Sequence, residues 1–193
     1  QRQMCIRDST DSMKKTLTLL VSALLLSATG LNAQTTLRAN LPGWAIAIGN
    51  LGVETALARH FTLAAEGYYS PFWNVKNFRM RGYMLTPEIR YYFCEKFNKH
   101  YLGLHGNYAN YDRLQPSKLQ NIRQGHAWAL GLSYGHQWIF NHHWYFDLFI
   151  GAGWWRFDND VYCKHEPDYK IREHVKENKF GITRGGASFA YRF

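Results

Sequence analysis

Residues 180–193 read FGITRGGASFAYRF. Phe193, Tyr191, Phe189, Ala187 and Gly185 fall on one face of an extended chain, and Arg192, Ala190, Ser188, Gly186 and Arg184 on the other. Successive side chains of a strand point to opposite faces, so the alternation predicts a strand with one aromatic side. In a closed barrel within a bilayer, lipid covers such a side. The expectation is therefore an all-β fold: an eight-stranded antiparallel up-and-down transmembrane β-barrel.

Seven more segments pass the same period-two test, so the expected strands lie near 36–45, 51–58, 61–70, 83–93, 100–111, 126–139, 144–156 and 180–193. The connections alternate. Short turns fall at 59–60, 94–99 and 140–143, and longer loops at 71–82, 112–125 and 157–179, with a brief member near 46–50. Short turns on one rim and long loops on the other are the outer-membrane pattern. It predicts periplasmic termini and extracellular long loops in a Gram-negative bacterium.

The segments at 126–139 and 144–156 are the most informative. Trp128, Leu130, Leu132, Tyr134, His136 and Trp138 share one face, as do Trp144, Phe146, Leu148, Ile150, Ala152 and Trp154. In each, two tryptophans stand ten residues apart. At ~3.3 Å per residue and a tilt of ~40°, that spacing rises roughly 25 Å, about the height of the apolar band of such barrels. Trp128, Trp138, Trp144 and Trp154 are thus expected in the interfacial girdles.

The opposite faces are small, polar or charged. Arg38, Glu54, Glu66, Glu88, Arg90, Asp147 and Arg184 are expected to form an ion network in the lumen, together with Arg192. Four acids would then face four arginines, and charges removed from bulk water are tolerated when paired. A soluble lipocalin-like barrel, with its apolar face turned inward, is the alternative. The eight lysines after residue 33 disfavour it, because all fall in expected turns or loops or at a loop's last residue. A water-facing strand surface normally carries lysine.

The first 33 residues divide differently. Residues 13–33 resemble a signal peptide: Lys14 and Lys15, an apolar run Leu17–Ala28, then Leu31-Asn32-Ala33 before Gln34. Residues 1–12 look like translated adapter sequence, leaving 34–193 as the barrel domain. No run of eighteen apolar residues follows residue 33, so no spanning helix is available.

The formal net charge is +9. Basic residues are not interleaved with stacking aromatics, and nucleic acid is not an expected partner. The anionic partners expected are outer-membrane lipids and lipopolysaccharide. Lys76, Arg79, Arg81, Arg113, Lys118 and Arg123 form a candidate surface patch on two loops, against the single acid Asp112.

No catalytic, cofactor or metal residues are expected. Asp158, Asp160, Cys163, His165, Glu166, Asp168 and His174 match no closed zinc spacing. Cys94 and Cys163 are expected at opposite rims, too far apart for a disulfide. Glu88 and Arg90 are expected in structural ion pairs with partners on neighbouring strands, not in a catalytic group. A lipid A hydrolase would need a Ser–His pair near the outer leaflet, and neither Ser133 at mid-strand nor His126, Ser117 or Ser70 supplies one.

The stretches NLGVETAL (50–57), LTPEIRYYFCEKFNKHYLGLHGNY (85–108) and ALGLSYGHQWIFNHHW (129–144), with the terminal strand, resemble a family of small outer-membrane barrels from Bacteroides-type bacteria, catalogued as a domain of unknown function. Genes of that family often lie near fimbrial or adhesin genes. The resemblance implies a barrel without established chemistry and a possible surface or fimbrial partner. The final strand also resembles the signal read by the outer-membrane insertion machinery, mapping to Phe189, Tyr191 and Phe193. The function expected is structural or surface-interacting; the alternatives are a lipid-modifying enzyme and a soluble ligand-binding barrel.

Overall fold

The computed structural model describes residues 34–75, 78–115, 121–163 and 170–193, with side chains described outside 72–80, 113–121 and 163–173. The expected signal peptide and the segment before it lie outside the described residues. Thr35–Phe193 forms one compact unit.

Eight strands follow one another: β1 (Thr35–Asn40), β2 (Gly49–Ala56), β3 (Phe61–Val75), β4 (Phe78–Tyr92), β5 (Lys99–Gln115), β6 (Asn121–Ile139), β7 (Trp144–Cys163) and β8 (Lys170–Arg192). Each pairs antiparallel with its chain neighbour, and β1 pairs with β8, so one sheet closes in a ring, a closed barrel. Closure removes sheet edges wherever neighbours overlap. A five-residue helix, α1 (Leu41–Ala45), follows β1. The expected first strand ran on to residue 45, but Pro42 has no N–H for a ladder and is at home in a first helical turn.

Strands on the long-loop side reach further than the hydrophobic pattern predicts. β3 and β4 pair up to Val75↔Phe78, and β6 and β7 up to Asn121↔Cys163. Most of the expected long loops are therefore two-stranded ribbon. Polar residues continue a ladder once their neighbours hold the register, because backbone pairing does not depend on side-chain hydrophobicity.

Leu132 is 65% exposed and Ile150 59%, whereas Arg90 is 0% exposed and Glu88 1%. The apolar face turns outward and the charged face inward. The register also aligns outward aromatic residues into two belts. Tyr69 pairs Tyr83, Tyr108 pairs Trp128, and Trp154 pairs Phe180, giving an upper belt across β3–β8. At the short-turn rim, Trp138 lies 5.6 Å from Phe146, Phe146 5.3 Å from Phe189, and Trp144 5.2 Å from Tyr191. Between the belts the outward face is Leu, Ile, Val, Ala, Gly, Pro and Thr with Tyr134, His100 and His136; among the described residues no Lys, Arg, Asp or Glu stands there.

The strict alternation of 180–193 breaks once. Arg184 pairs Gly151 but Ile182 pairs Ala152, leaving Thr183 as an extra residue. This bulge lets Phe180 and Ile182 point outward although they share parity with inward Arg184.

Candidate functional site

The inward positions of six strands converge on a compact set of charges. Arg38 comes from β1, Glu54 from β2, Glu66 from β3, Glu88 and Arg90 from β4, Asp147 from β7 and Arg184 from β8. All are at most 6% exposed. Their places follow from parity: Glu88 and Arg90 are two apart on one strand and so share its inner face.

Arg90 is the hub. It contacts Glu88 at 2.5 Å, Glu54 and Asp147 at 3.1 Å each, and Glu66 at 3.7 Å. Arg38 contacts Glu54 (2.7 Å), Asp147 (3.1 Å) and Glu66 (3.2 Å). Arg184 joins Glu88 (2.5 Å) to Glu66 (2.9 Å). Aromatic faces support the cations: Arg90 lies 4.4 Å from the Tyr101 ring centre and Arg184 4.4 Å from that of Phe149.

Room for these long side chains comes from inward glycines. A Cβ on Gly151 would stand 2.9 Å from Arg184 Cγ, and one on Gly52 2.6 Å from Glu66 Cγ. Gly103 makes the same allowance beside Glu88 and Ser133, and Gly135 beside the Tyr101 ring.

The expected balance of four against four needs correction. Arg192 points inward but sits 4.9 Å from the Tyr145 ring centre and donates to the His142 carbonyl at 2.8 Å, at the lower mouth. Four carboxylates therefore meet three guanidiniums in the network. Neutral hydroxyls make up the donors. Tyr92 (2.9 Å) and Thr62 (2.5 Å) serve Glu54, Tyr101 (3.0 Å) serves Asp147, Tyr68 (2.7 Å) serves Glu66, and Ser133 donates to Glu88. A carboxylate out of water is sustained by such charge-assisted bonds.

Below the charges, Phe97 closes the lumen, its ring 6.2 Å from Tyr92 and 6.4 Å from Tyr145. The turn that brings it there holds Phe97 in the left-handed region, φ 61°. Above them, Thr86 donates to Asn107 (2.8 Å), and Asn107 donates to the Thr183 carbonyl (2.9 Å). His105 and Thr183 share a hydrogen bond of 2.7 Å. The pair looks like a nucleophile and base, but both are buried within the wall and His105 Nδ1 has no hydrogen-bond partner among the described residues to orient the ring. Ser133 is committed to Glu88, and His126 stacks 6.4 Å from Tyr108 on the outer surface.

The other expected residues separate. Trp128, Trp138, Trp144 and Trp154 are each 42–51% exposed and fall into the two belts. Arg81 pairs with Asp112 at 2.7 Å and Arg123 with Glu177 at 3.3 Å. Those two cations of the candidate patch therefore each have an acid partner. Arg79 and Arg113 have described backbone only, and Lys76 and Lys118 lie outside the described residues, as do His165, Glu166, Asp168 and Ser117. His174 accompanies Asp158 (3.5 Å) and Asp160, whose carboxylate accepts the His174 backbone N–H at 2.9 Å. Among the described residues, no cluster of three or more His, Cys, Asp or Glu has metal-holding geometry. Cys94 is exposed and unpaired.

Sequence reasoning missed the asparagine clamp on α1. The buried Asn50 side chain accepts from the Asn40 N–H (2.5 Å) and donates to the Asn40 carbonyl (2.9 Å). Trp44 donates to the Asn50 carbonyl at 3.1 Å. Two asparagines at inward positions bracketing a Pro-Gly segment were the available signal.

No curated protein matches the chain. The family described as "Protein of unknown function (DUF3575)" matches residues 16–193. The match spans more than half of the chain, and the chain belongs to DUF3575.

Proposed function

We propose that this protein is a small outer-membrane barrel with a side-chain-filled lumen, serving as a structural or surface-interaction protein. One observation carries the reading: between two aromatic belts the outward face of the described strands bears no Lys, Arg, Asp or Glu, while seven charged residues are buried inside. In water this arrangement would expose a continuous apolar surface far beyond what a monomer tolerates. In a bilayer, hydrocarbon covers it, and the belts meet the interfaces. Arg156, the register partner of Trp128 with its guanidinium 6.0 Å from that ring centre, stands at the upper belt, where lipopolysaccharide phosphates would meet it.

On this reading the expected leader at 13–33 exports the chain, and Phe189, Tyr191 and Phe193 present the insertion signal. The termini are periplasmic and the long ribbons extracellular, where a surface or fimbrial component is the proposed partner. The lumen serves stability: with its seven charged side chains paired among themselves it is a plug, not a channel or an active centre.

Fractionation of expressing cells tests the localisation. The proposal expects the chain in the outer-membrane fraction, released only by detergent and shifted in gel mobility by boiling. Release in the periplasmic fraction without detergent would overturn it. Replacing 71–82 and 157–179 tests the interaction role: the heat-modifiable barrel persists and surface binding is lost. Unchanged surface binding after both replacements would leave a purely structural barrel.

A further inference from the structure

We propose that the upper lumen is a binding site for one small uncharged, hydrocarbon-like molecule. Above the charged network lies a cavity of about 270 Å³. Small residues create it at one level of the ring. Ser70 pairs Gly82 across β3 and β4, and Ala109 pairs Ala127 across β5 and β6. Met84 pairs Ala109, and Phe157 pairs Ala127, so bulky side chains frame the space that the small ones vacate. Tyr68 and Trp155 complete the lining.

Three polar side chains of these walls are already committed. Tyr68 turns its hydroxyl down to Glu66 at 2.7 Å, so its ring forms the boundary with the charges below. Trp155 donates its indole N–H to the Ile182 carbonyl at 3.1 Å, and Tyr111 donates to Asn159. Trp155 and Phe157 stack at 5.6 Å with 20° between their planes, presenting flat apolar surface. A ligand here meets ring faces, a thioether and methyl groups. Apolar cavities of ~150 Å³ stay dry and take up benzene. This one is nearly twice that size and partly open to its surroundings, just below the usual range of small-molecule sites. An ionic ligand finds no counter-charge among the described lining residues and would be desolvated without compensation. The inference does not rest on membrane insertion, because the cavity is inside the ring whatever surrounds it.

The experiment uses the full chain with methyl-labelled methionine, folded in detergent micelles, and naphthalene as the probe. Met84 is one of four methionines, so its methyl signal is assignable. The expected result is a saturable shift of the Met84 signal. Ala127→Phe, which fills the cavity, weakens it by about tenfold or more. Ala109→Leu does the same should Ala127→Phe not fold, and Leu132→Phe on the outer face leaves it unchanged. Native mass spectrometry of protein extracted from cells identifies the source. A co-purifying lipid displaced by naphthalene assigns an acyl chain, and an empty protein that takes up naphthalene assigns a free molecule. A non-saturating response, or equal binding by the filled variants, would overturn the site.

Discussion

Thr183 and Arg184 are consecutive residues that both point into the lumen. Thr183 shares a 2.7 Å hydrogen bond with His105, and Arg184 reaches Glu66 at 2.9 Å. An ordinary strand would send one of them outward. The bulge between Gly151 and Ala152 resolves the conflict and keeps Phe180 and Ile182 on the outer face.

Deleting Thr183 should therefore leave a foldable barrel, since Ile182 and Arg184 would then occupy adjacent ladder positions with their present orientations. The cost is the partner of His105, about 1–3 kcal/mol for a buried group left unsatisfied. Deleting Gly181 instead inverts Phe180 and the ribbon above it relative to Ile182, and should impair folding. Boiling-dependent gel mobility distinguishes the two; equal failure would refute the bulge argument.

Arg90→Met removes the cation that touches all four acids of the network. Breaking a buried ion pair from one side costs about 3–5 kcal/mol. Urea unfolding followed by tryptophan emission should show that loss, and Glu54→Gln in the same chain should recover part of it. A loss under about 1 kcal/mol would mean that the lumen is hydrated enough to screen the acids.

Gly131→Ala should destabilise, because its Cβ would lie 2.6 Å from the Ala152 carbonyl oxygen and 2.9 Å from both His105 and Thr183. Overpacking of this kind costs about 1–3 kcal/mol. Gly185→Ala is the control: its Cβ would lie 3.7 Å from the Phe149 carbonyl, an ordinary contact, and the cost should stay within about 0.5 kcal/mol. Thermal midpoints of the two variants give the comparison.

The membrane proposal makes cost depend on depth. Leu132→Arg, midway between the belts, should cost about 2–4 kcal/mol in lipid vesicles, and Tyr83→Arg at the upper belt about 0–1. Equal small costs at both positions would count against a bilayer around the ring.

Glu177 lies beyond the upper belt and is held below its ordinary carboxylate range, first by the hydrogen bond from Lys179 (2.7 Å) and then by the charge of Arg123. A lowered folded-state value means that this pairing stabilises at pH above the ordinary carboxylate range and is lost as pH falls through the lowered one. Amide protection on β8 near residue 177, taken relative to the intrinsic exchange rate at each pH, should fall on acidification, and Glu177→Gln should abolish that response.

Which residues face which way was legible because a strand has a period of two, and the seven lumen charges needed only parity to be grouped. What needed coordinates were the departures from that period and from hydrophobic pattern. The ribbons beyond the upper belt are polar, so nothing in their composition marks them as paired. The bulge at Thr183 shifts parity without a glycine or proline in place. Arg192 has the parity of a network member but sits a level too low, beside Tyr145 and His142, and height around a ring depends on stagger between strands. The upper cavity depends on which small residues share a level, which again is set by register.

β1 meets β8 over only Thr36–Asn40 and Ser188–Arg192, whereas β6 and β7 run together from Asn121↔Cys163 to Ile139↔Tyr145. Mechanical load around the circumference would thus concentrate on the two short joints that β1 makes, this one with β8 and the one with β2 over Thr35–Arg38. A tether pulling β1 from β8 would unzip the ring there at low force, while the β6–β7 ribbon would hold as a single stiff panel.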